Sequence, residues 1–238
     1  MAARELRRLL QDLGYGSRRE VEALIASGAV RLDGVALSAD AALERPAALR
    51  VAGEPLDLLP GALVALHKPP GYECSAAALH RSVFQLLPPR WRLRRPPMAL
   101  VGRLDLDTSG LLLLTDDGAL VQRLTHPRQH RPKVYRVQLA DPLRGDEAAA
   151  VAAGLQLRGE PDHPLAPAGL EPLAARELRL TLTEGRYHQV KRMMGALGHR
   201  VVALHREAIG GLWLASLGLA PGQWRALDAA QRARLLED

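Results

Sequence analysis

The run Leu111-Leu112-Leu113-Leu114 constrains this chain more than any other stretch. It is entered through Gly102-Arg103-Leu104-Asp105-Leu106-Asp107-Thr108-Ser109-Gly110 and left through Thr115-Asp116-Asp117-Gly118. A strand shows alternate side chains to opposite faces, so successive leucines need apolar cover on both, as they have inside a sheet layered by other elements. The loop that feeds this strand carries Asp105 at the edge of a rigid scaffold, where a backbone is held in place and a side chain stays reachable. Asp105 is therefore the first candidate for a catalytic group. A loop Asp more often bonds nearby amides as a turn former or cap, and Asp107 reads that way.

At 238 residues the chain has room for one large domain or for a small and a medium one. Aromatic residues make up only 3%, so Leu, Val and Ala must build the core. No apolar run approaches the roughly 20 residues needed to cross a bilayer, and the Arg- and Glu-rich N-terminus lacks an apolar signal core. A cytoplasmic protein without membrane contact is expected. The single cysteine, Cys74, excludes an internal disulfide and a thiolate cluster, and the eight His show no zinc-site spacing. No metal is expected.

The net charge of +6 is unevenly spread. Residues 1–60 carry a net −1, whereas residues 81–136 hold eleven Arg and Lys against Asp105, Asp107, Asp116 and Asp117, a net of +7. Residues 176–206 add seven cations against Glu177 and Glu184, a net of +5. Positive charge thus surrounds the candidate carboxylate, and a basic surface of this size attracts nucleic acid in a salt-sensitive way.

Along the chain, Leu6, Leu9, Leu10 and Leu13 have helical spacing closed by Gly14. Ser17 and Glu20 form a capping box for a second helix with Val21, Leu24 and Ile25 on its apolar face. Val30 to Val35 alternates into an Asp-Gly hairpin turn. Pro and Gly at both ends mark residues 53–61 as an interdomain linker, giving domains 1–60 and 61–238.

A strand from Ala62 to His67 opens the second domain, and Lys68-Pro69-Pro70-Gly71-Tyr72 turns it sharply. A short helix follows near Ser82 to Leu87. The Arg- and Pro-rich residues 88–97 read as an exposed loop able to touch phosphates. Later elements are a helix over 119–125, a strand over 133–139, a helix over 146–153, a strand over 178–183 and a helix over 188–197. In that last helix Val190, Met193, Met194 and Leu197 share a face and Lys191 sits on its rim, able to look into a cleft, whereas His188 and Arg192 point nearly opposite. Strands outnumber helices and short turns join them. An α+β fold follows, with a mixed, mainly antiparallel central sheet flanked by helices.

Residues 17–21 and 28–34 resemble an S4-type RNA-binding domain, here a small α/β unit, although its usual Arg-Leu-Asp-Lys opening reads Glu5-Leu6-Arg7-Arg8. Three further blocks, Gly102 to Leu111, Lys133-Val134-Tyr135, and Glu184 to Met193, together resemble the pseudouridine synthases. The S4-type segment, the 68–72 turn, Tyr187 to Met193 and His205 to Gly211 are similar to the ribosomal RsuA branch.

That resemblance implies isomerisation of a uridine in ribosomal RNA, namely uridine 516 of 16S rRNA, without redox cofactor, nucleotide or metal. It implies a catalytic Asp105 acting as nucleophile or base at the ribose, Lys191 as its counter-ion, and Tyr135 packed on the target base. Arg103 matches an arginine inserted where the base leaves the stack. Arg18, Arg19, Lys68, Arg186 and His188 complete the expected RNA contacts. The implied partner is 16S rRNA in a small-subunit assembly intermediate, bound by a monomer. A 23S rRNA target and a non-catalytic RNA-binding assembly factor remain the alternatives at this point.

Overall fold

The computed structural model describes residues 2–39, 41, 43, 45–126, 131–157 and 164–235, with the side chains of residues 2–5 left out. Two helices, α1 (Ala2–Asp12) and α2 (Arg18–Ala26), precede four short strands: β1 (Val30–Leu32), β2 (Val35–Ala36), β3 (Leu49–Val51) and β4 (Glu54–Pro55). The strands pair antiparallel in the order β2-β1-β3-β4. Leu6 and Leu10 of α1 and Val21 and Ile25 of α2 bury their apolar faces on Val30, Leu49 and Val51. The capping box at α2 is formed as the sequence predicts, with Ser17 accepting from the Glu20 amide and Glu20 from the Ser17 amide. Residues 53–55 close this sheet through β4, so the chain leaves it only after Pro55.

This unit rests on a segment whose character differs from the expectation. Residues 88–97 are not simply an exposed loop: a 3-10 helix spans Pro89–Leu93, Trp91 is buried, and the Arg94 side chain is 1% exposed. Arg94 pairs with Asp116 at 2.7 Å, and Asp116 also accepts from the Gly61 amide. Trp91 Nε1 donates to Asp57, while Asp57 N donates to the Tyr15 hydroxyl and Arg95 N to Asp12 O. Gly14 makes the close approach possible: at φ +81° a Cβ there would stand 2.6 Å from the Arg90 carbonyl.

The large sheet uses β5 (Leu63–Lys68), β8 (Ala99–Val101), β9 (Ser109–Thr115), β10 (Lys133–Leu139), β11 (Gly169–Ala174), β12 (Glu177–Leu182), β13 (Val201–Ile209), β14 (Leu212–Trp213) and β15 (Trp224–Ala226). β6 (Tyr72–Glu73) and β7 (Arg81–Ser82) form a separate parallel pair. The main order is β11-β12-β10-β13-β9-β5-β15, with β8 added on β9 and β14 on β13. Every pairing within it is antiparallel except β9 with β13, which agrees with the mixed, mainly antiparallel sheet. The four leucines of β9 are wholly buried: Leu111 and Leu113 pack with Leu63 and Ala65 on one face, Leu112 and Leu114 with Val64 and Leu66 on the other.

Helix α3 (Gly118–Thr125) covers the first of these faces, aided by residues near α6 (Ala229–Arg234). Helices α4 (Glu147–Ala153) and α5 (Gln189–Ala196) bury Val151, Val190, Met193 and Met194 against β10 and β12. No helix among the described residues is long and apolar enough to cross a membrane.

At the start of α4, Glu147 is buried and accepts from the Arg144 and Gly145 amides and from His199 Nε2. Burial raises its pKa, but these donors outweigh that and hold it at about 2, below the ordinary 4.5. A depressed folded-state pKa contributes stability above the unfolded value, lost as pH falls through the folded one. Stability should therefore decline between pH 4.5 and about 2, and Glu147→Gln should flatten that slope in denaturant melts taken across this window. An unaltered slope would show that Glu147 does not set it.

Candidate active site

One row of residues runs across five strands under the Gly102–Gly110 loop. Leu180 of β12 pairs with Tyr135 of β10, Tyr135 with Arg206 of β13, Arg206 with Gly110 of β9, and Gly110 with Lys68 of β5. Gly110 is a steric necessity there. At φ +115° its Cβ would lie 2.3 Å from the Arg206 carbonyl, so any side chain would part β9 from β13.

The cations on either side of Gly110 hold the loop by its carbonyls. Lys68 is 0% exposed, and its ammonium donates to the carbonyls of Thr108 (2.7 Å), Asp105 (2.9 Å), Pro69 (3.2 Å) and Leu106 (3.3 Å). This corrects the expectation that Lys68 contacts RNA. The tight Lys-Pro-Pro-Gly turn carries the chain back over its own lysine, and burial pushes the ammonium pKa below the ordinary lysine value. Arg206, also buried, donates from Nε to Leu111 O and from Nη1 to Arg103 O.

So fixed, Asp105 projects to the rim of a cavity of about 710 Å³, with its side chain 27% exposed. Lys191 Nζ lies 3.3 Å from Asp105 Oδ2 and 2.6 Å from Asp107 Oδ1. His188 Nε2 stands 3.4 Å from Asp105 Oδ1. The expected opposition of His188 and Lys191 does not occur, because α5 begins only at Gln189. His188 adopts a left-handed conformation (φ 48°, ψ 33°) that turns its ring back to Asp105. Asp107 is likewise more than a turn residue: its bond to Lys191 lowers its pKa. Burial opposes the Lys191 charge, but the two carboxylates outweigh it and raise its pKa.

Asp105, Tyr135, Arg103, Arg186 and His188 all line this cavity, and Lys191 reaches Asp105 from behind the lining. Arg18 and Arg19 are elsewhere, exposed on α2, with Arg18 3.0 Å from Glu22. Among the lining residues that the sequence did not single out are Lys133, Arg206 and Tyr187. Lys133 precedes Tyr135 by two on one strand, a period-2 signal that could have found it. Arg206 is brought in only by the parallel pairing of β9 with β13, which carries no local signature. Burial and nearby Arg206 push the Lys133 ammonium pKa down. A cavity with a carboxylate at its rim, an aromatic ring in its wall and cations around it suits an anionic, ring-containing ligand such as a nucleotide.

Comparison with known proteins agrees. The sequence pattern of the RNA pseudouridylate synthases matches residues 62–196. The chain is 46% identical over 174 residues to "Ribosomal small subunit pseudouridine synthase A" of Escherichia coli K12, covering 72% of each chain. It is 38% identical over 232 residues to the protein of the same name from Vibrio cholerae, covering 97% of this chain and 98% of that one. A solved structure titled "Crystal structure of pseudouridylate synthase" superposes with a TM-score of 0.69 at 36% identity, covering 97% and 98% of the two chains. With its fold, its cavity and these relatives in view, the chain belongs to the RNA pseudouridylate synthase family, on its RsuA branch.

Proposed function

We propose that this protein isomerises uridine 516 of 16S rRNA to pseudouridine, acting as a monomer in the cytoplasm on a small-subunit assembly intermediate. The observation that carries the reading is the convergence of Lys191 and His188 on the Asp105 carboxylate at the mouth of the cavity. The bond from ribose C1′ to uracil N1 breaks, the base turns, and C1′ joins C5. The C5 proton leaves and N1 gains one, so no electron is exchanged. Asp105 acts at the ribose, as nucleophile or base. Lys191 stands beside it as a counter-ion, Tyr135 packs on the base, and Arg103 fills the gap left in the RNA stack, where extrusion costs a few kcal/mol.

Residues 1–60 serve as an S4-type RNA-binding unit, with Arg18 and Arg19 towards the phosphates, and residues 61–238 as the catalytic domain. The named relatives support the small-subunit target, since both carry that target in their names. Carbodiimide treatment and primer extension on 16S and 23S rRNA incubated with the protein test it. A new stop at uridine 516 is expected, and a stop in 23S rRNA instead would overturn the assignment. Lys191→Ala should lower kcat by about 10²-fold, with Lys191→Arg recovering part of the loss. An unchanged kcat in Lys191→Ala would remove Lys191 from the mechanism.

A further inference from the structure

Tyr187 is a large aromatic residue left 77% exposed at the cavity rim. It is not a loose side chain. Its ring stacks on His188 with centroids 3.8 Å apart and planes 18° from parallel. The His188 backbone is held in the left-handed region, which costs energy for a residue other than glycine and tends to persist where a site uses it. Local bonds fix the arrangement: Arg186 N donates to Gln189 Oε1, and Arg192 Nη1 to Tyr187 O at 3.5 Å. The result is an ordered ladder of Tyr187 ring, His188 ring and Asp105 carboxylate, with the outer ring turned to solvent.

We propose that the Tyr187–His188 pair is a stacking platform for the nucleobase adjoining the extruded uridine. The inference rests on the isomerase reading and adds to it a subsite for the flanking nucleotide. An open aromatic face accepts any base through its π surface, and the cations next to it in the chain, Arg186 in the cavity wall and Arg192, which donates to the Tyr187 carbonyl, can meet the backbone phosphates of that nucleotide.

The test uses the full chain and hairpin fragments of 16S rRNA containing uridine 516, with 2-aminopurine replacing the nucleotide on its 5′ or 3′ side in turn. Binding of the wild type should quench one of the two probes. Tyr187→Ala should abolish that quenching and raise KM by about 5- to 150-fold with kcat unchanged, while Tyr187→Phe retains both. Because Tyr187 is so exposed, the Ala variant should keep the wild-type Tm. The platform is overturned by quenching of neither probe, by persistent quenching in Tyr187→Ala, or by a wild-type KM in that variant. Quenching that depends on Tyr187 without any pseudouridine formed would leave the platform standing and refute the isomerase reading.

Discussion

Asp105→Asn should abolish pseudouridine formation, by more than about 10³-fold, and leave both the fold and RNA binding intact. The amide has nearly the volume of the carboxylate and weakens only part-exposed contacts with Lys191 and His188, so the loop keeps the bonds that anchor its backbone. The loop is fixed from below, through backbone carbonyls of residues 103–111 gripped by Lys68 and Arg206. In the proposed reaction, what the substitution removes is the charge that acts at the ribose. The paired measurement is Tm by calorimetry, Kd for 16S rRNA by filter binding, and the single-turnover rate. A variant that keeps more than about a tenth of the wild-type rate would take the reaction away from Asp105.

Lys68→Met should have the largest effect on stability. The methionine keeps the apolar stem in place but leaves four carbonyls without the ammonium they share, in a spot with no exposure to water. Unmade bonds to buried acceptors cost about 1–3 kcal/mol each, offset by relaxation and by the desolvation no longer borne, for a net of about 3 kcal/mol. For a chain of this size that lowers Tm by about 6–12 °C. The rate should fall as well, by about 10²-fold, since a displacement of about 1 Å at a reacting group costs that much. A lysine that instead bound phosphate would show the opposite pattern: unchanged Tm, weaker RNA binding and a shallower salt dependence. Observing that pattern would restore the RNA-contact role that the buried position denies.

Much of the architecture is legible in the sequence, because it rests on local patterns. The buried leucine strand, the capping box at Ser17 and the apolar faces of the last helices depend on residues close in sequence, and periodicity reports them directly. The features that escaped reading depend on partners far away. Nothing around Lys68 announces that its ammonium will sit under the carbonyls of residues 105–108, nearly forty positions on. Arg94 looks like one more cation in an Arg-rich stretch until Asp116 is brought to it.

His188 escaped for a different reason. A helical wheel assumes helical dihedrals, and the single left-handed residue before α5 swings the ring from the predicted far side to the Asp105 carboxylate. In the sequence Asp107 looks like a turn residue, because its lysine partner lies on a helix 84 positions later. In each case the local pattern lacks the tertiary contact that gives the residue its neighbour.

The reaction itself is most directly read at the atom it releases. Forming the bond from C1′ to C5 expels the hydrogen at C5, so 16S rRNA labelled with tritium at uracil C5 reports each turnover as tritium in water. Incubated with the wild-type protein, naked 16S rRNA or precursor small-subunit particles should release one equivalent of label per molecule. Release of none from any ribosomal RNA, free or in particles, would contradict an isomerase and leave a protein that binds RNA without changing it.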